Sequence, residues 1–274
     1  MPELPEVETI KSTLNELVIG RKIKDVEIRW ANIIKYPEDT VQFKHLLLGQ
    51  AIHNVNRKGK FLLFELDDYI LVSHLRMEGK YGLFDASEPL SKHTHVIFFF
   101  GDGKQLRYND VRKFGTMHLF TKGQELLEKP LNQLGPDPFE ATFTLDYFYE
   151  KVHKSERNIK SILLDQSVIA GLGNIYVDET LFKAGVLPTR KGSELTKKEV
   201  EDIQLYAKET LEQAVAQGGT TIRSYVNSQG EIGMFQQELF VYGQENKECK
   251  HCGSPIVKTR VAGRGTHICV NCQS

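Results

Sequence analysis

Every cysteine of the 274-residue chain lies near its end, as Cys249, Cys252, Cys269 and Cys272. Two CxxC pairs on tight knuckles can deliver four thiolates to one tetrahedral ion, and zinc is the metal that such donors select. The same pattern could make two disulfides, but these need an oxidising compartment. The chain shows neither the basic-then-apolar layout of a secretory leader nor an apolar run long enough to span a bilayer. A cytoplasmic protein without a membrane partner, carrying one structural Zn2+, is therefore expected. Between the knuckles, SPIVKTRVAGRGTH reads as a β-hairpin with Arg264 in a Gly-Arg-Gly turn at its tip.

The opposite end offers a second chemistry. The chain begins MPELPEVE, and trimming of Met1 would expose Pro2 as a secondary amine. An α-amine titrates at roughly pH 8, so a useful fraction is nucleophilic at neutral pH. Its adduct with an aldehyde carbon is an iminium with no N–H to lose, and that fixed charge acidifies the neighbouring C–H. The plainer reading is that Pro2 and Glu3 open a helix.

Charge gives no global signal, since 35 Lys and Arg face 36 Asp and Glu. An anion-binding surface would have to be local, built from Arg57, Lys58 and Lys60 in NRKGKF or from Arg107, Arg112 and Lys113. The tail from residue 247 onward is also basic, with Lys247, Lys250, Lys258, Arg260 and Arg264 against Glu248 alone.

The elements that must position these groups are legible in outline. Val7, Ile10, Leu14 and Leu17 recur at helical spacing after the PEL start. Short apolar or alternating runs such as KIKDVEIRW, KFLLFELD, YILVSHLR, HVIFFF and TMHLF follow, parted by turn signals, which predicts a sandwich or barrel. LNQLGPDPF, at 131–139, reads as a linker. Beyond it, IKSILLDQ and NIYVDETLFKAG read as helices joined by SVIAGLG. LTKKEVEDIQLYAKETLEQAVAQGG opens with a Thr196 to Glu199 capping box and places Val200, Ile203, Ala207, Leu211 and Ala214 on one face.

Several stretches together resemble the formamidopyrimidine-DNA glycosylases: PELPEVE, RKGKFL, HLRMEG, DVRKFGT, LLDQSVIAGLGNIYVDETLFKAG and the closing four-cysteine hairpin. The resemblance runs nearly end to end. It implies an α+β multidomain protein. An N-terminal helix and β-sandwich would occupy 1–132, a helix-two-turn-helix domain 133–220, a lid loop and connector 221–246, and a zinc β-hairpin 247–274. It implies excision of oxidised purines, chiefly 8-oxoguanine and formamidopyrimidines, from damaged double-stranded DNA by a monomeric enzyme that then cuts the strand.

By the same resemblance, Pro2 is the nucleophile, Glu3 the acid that protonates the opening sugar, and Lys60 and Arg264 assist elimination at phosphates. Met77, Arg112 and Phe114 fill the void left by the flipped base, with a guanidinium for the orphaned cytosine. His74, His93, Arg157, Lys160, Asn174 and Tyr176 grip the strand. Glu78 and the stretch Thr221, Ile222, Arg223, Ser224 and Tyr225 contact the everted base. An endonuclease VIII-like enzyme for oxidised pyrimidines is the nearest alternative, and a noncatalytic zinc-containing DNA-binding protein a more distant one.

Overall fold

The computed structural model describes residues 1–220 and 238–274. Among these residues two compact units separate, one of 1–2 and 6–132, the other of 3–5, 133–220 and 238–274. Near the N-terminus the division sets Glu3–Pro5 apart, so the first two residues of helix α1 (Leu4–Val18) are grouped with the second unit and the rest of the helix with the first.

The first unit is built on two sheets. One has the order β1 (Ile23–Ile28), β7 (Thr94–Phe100), β8 (Lys104–Asn109), β6 (Lys80–Asp85). The other runs β2 (Ile34–Tyr36), β9 (Thr116–Thr121), β5 (Tyr69–His74), β4 (Phe61–Glu65), β3 (Asn54–Lys58). All pairings are antiparallel except β2 with β9. One apolar cluster draws Val96, Phe98 and Leu106 from the first sheet and Leu62, Phe64, Leu71 and Met117 from the second, which makes the unit a sandwich. Val7, Leu14 and Val18 of α1 join that cluster fully buried, each side chain stabilising the fold by about 1.5–3 kcal/mol.

The sequence reading passes over α2 (Thr40–Leu47), whose Asp39 cap accepts the Val41 N–H at 2.8 Å. It also passes over β6 and β8, which carry too few consecutive apolar residues to stand out. In β8 Arg107 lies between the core residues Leu106 and Tyr108 and so on the other face of the sheet, where it is nevertheless buried: it donates to the carbonyls of Pro89, Asp85 and Glu88 at 3.1, 3.1 and 2.8 Å and stacks on Phe84. Arg107 thus braces the loop before β7 and is unavailable to an external anion.

The second unit is helical. It comprises α3 (Leu145–His153), α4 (Ile159–Leu164), α5 (Asn174–Lys183) and α6 (Lys197–Ala216); α4 and α6 pack on α5, which is buried from Ile175 to Phe182, and α3 packs on α6. The capping box of α6 forms as the sequence implies, Thr196 and Glu199 each accepting a backbone N–H of the other. Two turns connect α4 to α5. Gln166 holds them by donating to the carbonyls of Leu164 and Leu172 at 3.0 and 2.8 Å and accepting the Gly171 N–H at 3.0 Å.

The hairpin closes the chain. β10 (Val257–Val261) pairs with β11 (Arg264–Ile268), Val261 opposite Arg264. The connection is therefore the two residues Ala262 and Gly263, with φ of 51° and 72°, as a primed hairpin turn demands. Arg264 is the first residue of the returning strand rather than the centre of a Gly-Arg-Gly turn. A small apolar cluster of Phe182, Val241, Cys249, Ile256 and Cys269 seats the hairpin base on α5.

Candidate active site

In the helical unit the site is organised by the first turn of α5. Its opening N–H groups have no partners within the helix and form an anion site. The Glu3 carboxylate fills it, accepting from Gly173 at 2.8 Å, Ile175 at 2.9 Å and Tyr176 at 3.3 Å. The approach requires glycine: a Cβ on Gly173 would fall 2.4 Å from the Glu3 carboxyl carbon, and one on Gly171 would fall 2.5 Å from Leu4. The GLGN motif thus has a steric explanation. It clears the space in which the second and third residues after Met1 are held, and Leu4 adds an N–H bond to the Gly171 carbonyl at 3.1 Å.

Asn174, the first residue of α5, donates its side-chain amide to the Gly265 carbonyl at 2.9 Å and so ties the helix start to the strand that begins with Arg264. Arg264 itself is exposed. Arg157 is exposed and paired with Asp165 at 2.9 Å.

Two residues that the resemblance places at the DNA are enclosed instead. Lys160 is 0 % exposed; its ammonium lies 2.6 Å from Asp178 and also donates to Thr266 Oγ1 at 2.9 Å and the Gly265 carbonyl at 3.1 Å. An unpaired buried ammonium would be strongly destabilised, so Lys160 is committed to these partners. Tyr176 is likewise fully buried, in the first turn of α5. Thr221, Ile222, Arg223, Ser224 and Tyr225 lie outside the described residues.

In the sandwich unit Pro2 is buried. Lys60 sits in the two-residue turn between β3 and β4 and is 6 % exposed, with Gly59 at φ 55° beside it. Its neighbour Arg57 is committed to Glu8 at 2.7 Å and to the Gly59 carbonyl at 2.9 Å, so the NRKGK cluster is only partly available to an anion. The Glu8 carboxyl is drawn below its ordinary range despite the opposing effect of burial, because Lys11 and Arg57 both bond to it.

His74 ends β5 and is buried. Its Nδ1 accepts the Arg76 N–H at 2.9 Å, which leaves the proton of the neutral ring on Nε2 as a donor. Burial, reinforced by the cations Arg76 and Lys60, brings its pKa down to about 3. His93 is partly exposed on the loop before β7, and its carbonyl accepts the Asp110 N–H at 3.0 Å.

The void-filling candidates occupy two loops. Met77 follows Arg76, a non-glycine residue at φ 53°; Phe114 follows Lys113, at φ 59°. Both side chains are large, apolar and substantially exposed, Phe114 by 51 %. The Arg112 guanidinium lies over the Phe114 ring at 4.8 Å, and Lys113 lies over Trp30 at 4.0 Å. Glu78 is partly buried between Met77 and Gly79.

Sequence reasoning missed the groups that build these loops. The buried Asp110 accepts the N–H of Arg112 at 3.0 Å and those of Phe114 and Gly115 at 2.9 Å. Its own carbonyl receives His95 at 2.7 Å. Tyr108 lies where a Cβ on Gly79 or Gly115 would overlap its hydroxyl, at 2.1 and 1.7 Å, so both loops close against one phenol. The signal available in sequence was an Asp opening a turn, DVRKFG, a local-capping pattern too common to assign a role.

The four cysteine sulfurs lie within 4.8 Å of one another, with Cys249 to Cys272 at 3.9 Å and Cys252 to Cys269 at 3.4 Å. Tetrahedral thiolates at about 2.3 Å from zinc stand about 3.8 Å apart, so the donor set fits. Hydrogen bonds from Ser254 bring the Cys252 thiol down to about 6, whereas burial pushes the Cys269 and Cys272 thiols up.

A sandwich with two loops that carry exposed apolar side chains, a helix-two-turn-helix in which the first turn of α5 holds an N-terminal acid, and a four-cysteine hairpin define a class of DNA-repair glycosylase. Comparison with known proteins supports the same class. Residues 1–117 match the formamidopyrimidine-DNA glycosylase N-terminal domain, 134–226 its H2TH domain, and 246–274 a zinc finger found in FPG and IleRS. The formamidopyrimidine-DNA glycosylase of Oceanobacillus iheyensis is 60 % identical over 273 residues, covering 100 % of this chain and 98 % of that protein. That of Bacillus subtilis is 57 % identical over 274 residues, covering 100 % and 99 %. A crystal structure of a Lactococcus lactis FPG variant with Fapy-dG containing DNA superposes with a TM-score of 0.94 at 41 % identity, covering 99 % of each chain. The chain belongs to the formamidopyrimidine-DNA glycosylase family.

Proposed function

We propose that this protein excises oxidised purines, 8-oxoguanine and formamidopyrimidines, from duplex DNA and then cuts the abasic site by β,δ-elimination. One observation carries the reading: Glu3, the residue after the candidate amine, is seated on the α5 N-terminus by three backbone donors. An acid fixed next to the nucleophile in the chain is what opening of a deoxyribose ring requires.

After loss of Met1, the Pro2 nitrogen attacks C1′, the C1′–N bond to the base breaks, and the base leaves with a proton. Glu3 protonates the ring oxygen as the sugar opens to the iminium. Loss of a C2′ proton expels the 3′ phosphate, a second elimination expels the 5′ phosphate, and water releases the sugar remnant from Pro2. Lys60 and Arg264 contact phosphates during these eliminations. His74 offers Nε2–H to the backbone, His93, Arg157 and Asn174 add further contacts, and Met77, Arg112 and Phe114 occupy the emptied stack. Cys249, Cys252, Cys269 and Cys272 hold one structural Zn2+, which fixes the hairpin base. The protein acts as a cytoplasmic monomer.

The structures of relatives support damaged DNA as the partner, since Lactococcus lactis Fpg has been solved with an abasic site containing DNA. The same relative has been solved with an oxidized pyrimidine containing DNA, which keeps that lesion class as a second reading. Borohydride trapping on an 8-oxoguanine duplex tests the proposal. A covalent complex with the chain trimmed to Pro2 and none with a chain whose Met1 is retained and blocked at its amine is expected; equal trapping by both overturns Pro2. Faster release of thymine glycol than of 8-oxoguanine opposite cytosine would favour the second reading.

A further inference from the structure

The carbonyl of Gly265, the residue after Arg264, receives two donors from two different helices: Lys160 Nζ from α4 at 3.1 Å and Asn174 Nδ2 from α5 at 2.9 Å. Lys160 is held there by Asp178, whose Oδ1 lies 2.6 Å away, and both side chains are 0 % exposed. The second carboxylate oxygen of Asp178 accepts the His267 N–H at 2.9 Å. Lys160 also donates to Thr266 Oγ1 at 2.9 Å. A single buried ion pair therefore touches three consecutive residues of β11.

The ribbon needs such a fixture. A two-stranded hairpin is marginal by itself, and β10 is exposed over four of its five residues. Four thiolates could fix the hairpin base, yet Arg264 lies five residues before Cys269, roughly 17 Å along an extended strand. The far end is fixed by Asp178 and Lys160. Buried ion pairs contribute little net stability because desolvation offsets their attraction, so a role in specifying geometry is the better account of this one. Arg264 is near enough to weaken the proton affinity of Lys160, as burial does more strongly and Asp178 opposes.

We propose that Asp178 is a positioning residue for strand cutting: through Lys160 and the Gly265 carbonyl it sets the place of Arg264, and with it the second elimination. This rests on the elimination chemistry proposed above. The test uses a duplex with a preformed abasic site, the full zinc-loaded chain, and the variants Asp178→Asn and Asp178→Leu with Lys160→Met, the latter removing both charges together so that neither is left buried alone.

Borohydride trapping, which reports attack by Pro2, should change by less than about twofold, whereas the ratio of δ to β product should fall about tenfold or more, the scale on which small misplacements act. In an Arg264→Ala background the Asp178 substitution should add nothing further, since both act at one step. An unchanged product ratio in both variants overturns the proposal. So does a drop that persists undiminished without Arg264, or a loss of trapping as large as the loss of δ product. Affinity for a duplex carrying an unreactive tetrahydrofuran site separates the two ideas. If the native chain traps nothing, the proposed chemistry fails, while weaker binding by Asp178→Asn in native but not Arg264→Ala protein still supports positioning, and equal binding refutes it.

Discussion

The Glu3 carboxylate accepts the Gly173 N–H at 2.8 Å, so an acid from the third residue of the chain caps a helix that starts more than 160 residues later. The bond sets Glu3 apart from an ordinary helix-opening glutamate, because its oxygens are directed by backbone and not by solvent. Ring opening of an intact nucleoside needs an acid at the sugar oxygen, whereas an abasic site already equilibrates with its open aldehyde. Glu3→Gln should therefore lower base release by about 100-fold or more, while cutting of a preformed abasic site falls far less. Single-turnover rates on the two substrates check this; equal losses would remove the assigned role.

His74 gives a pH prediction. In the unfolded chain a histidine titrates near 6.5, in the folded protein His74 does so at about 3, and so between these values the unfolded state binds more protons. Its contribution to stability is present above about pH 6.5 and declines by about 1.4 kcal/mol for each unit below it. Denaturant melts from pH 7 to 4 should show a shallower fall for His74→Gln than for the native chain. DNA binding, by contrast, should show no inflection from His74 between pH 6 and 8.

Asp110 should matter more than its burial suggests. Bonds from a backbone N–H to a charged group contribute about 1.5–3 kcal/mol each, and Asp110 receives those of Arg112, Phe114 and Gly115. Asp110→Ala should lower stability by about 2–4 kcal/mol and weaken discrimination for cytosine opposite the lesion, since the Arg112 loop loses its frame. Thermal melts and competition with duplexes carrying each opposite base measure both effects.

Trp30 is the only tryptophan in the chain, and the Lys113 ammonium sits 4.0 Å above its ring next to Phe114. Its emission should change when a lesion duplex binds. The midpoint of that titration should weaken by about 10-fold or more between roughly 50 and 200 mM salt if phosphates supply the affinity. A salt-independent midpoint would argue against a charged interface despite the basic loops.

Metal removal tests the finger. A chelator with a thiol reagent should release one zinc per chain, and Cys269→Ser should lower its occupancy. Both should impair binding to abasic-site DNA while the sandwich retains its cooperative unfolding, because its core contains no cysteine. Normal DNA binding by a zinc-free chain would leave the metal without the function proposed here.

The two CxxC pairs, the capping box of α6 and the helices around GLGN follow from local spacing, and local spacing is what a sequence displays directly. The same holds for the apolar strands β4, β5 and β7. Strands such as β8 are less visible because their stability comes from neighbours on both sides, which composition alone does not report.

What only the tertiary structure decided was how charged residues are spent. A sequence records that Arg57, Arg107 and Lys160 are cations, but burial and partners far along the chain determine whether a cation faces solvent or a carboxylate. Arg107 braces a loop, Arg57 serves Glu8, and Lys160 serves Asp178. The placement of Glu3 on α5 has the same origin: hydrogen bonds act over about 3 Å in space, and no spacing rule links residue 3 to residue 173.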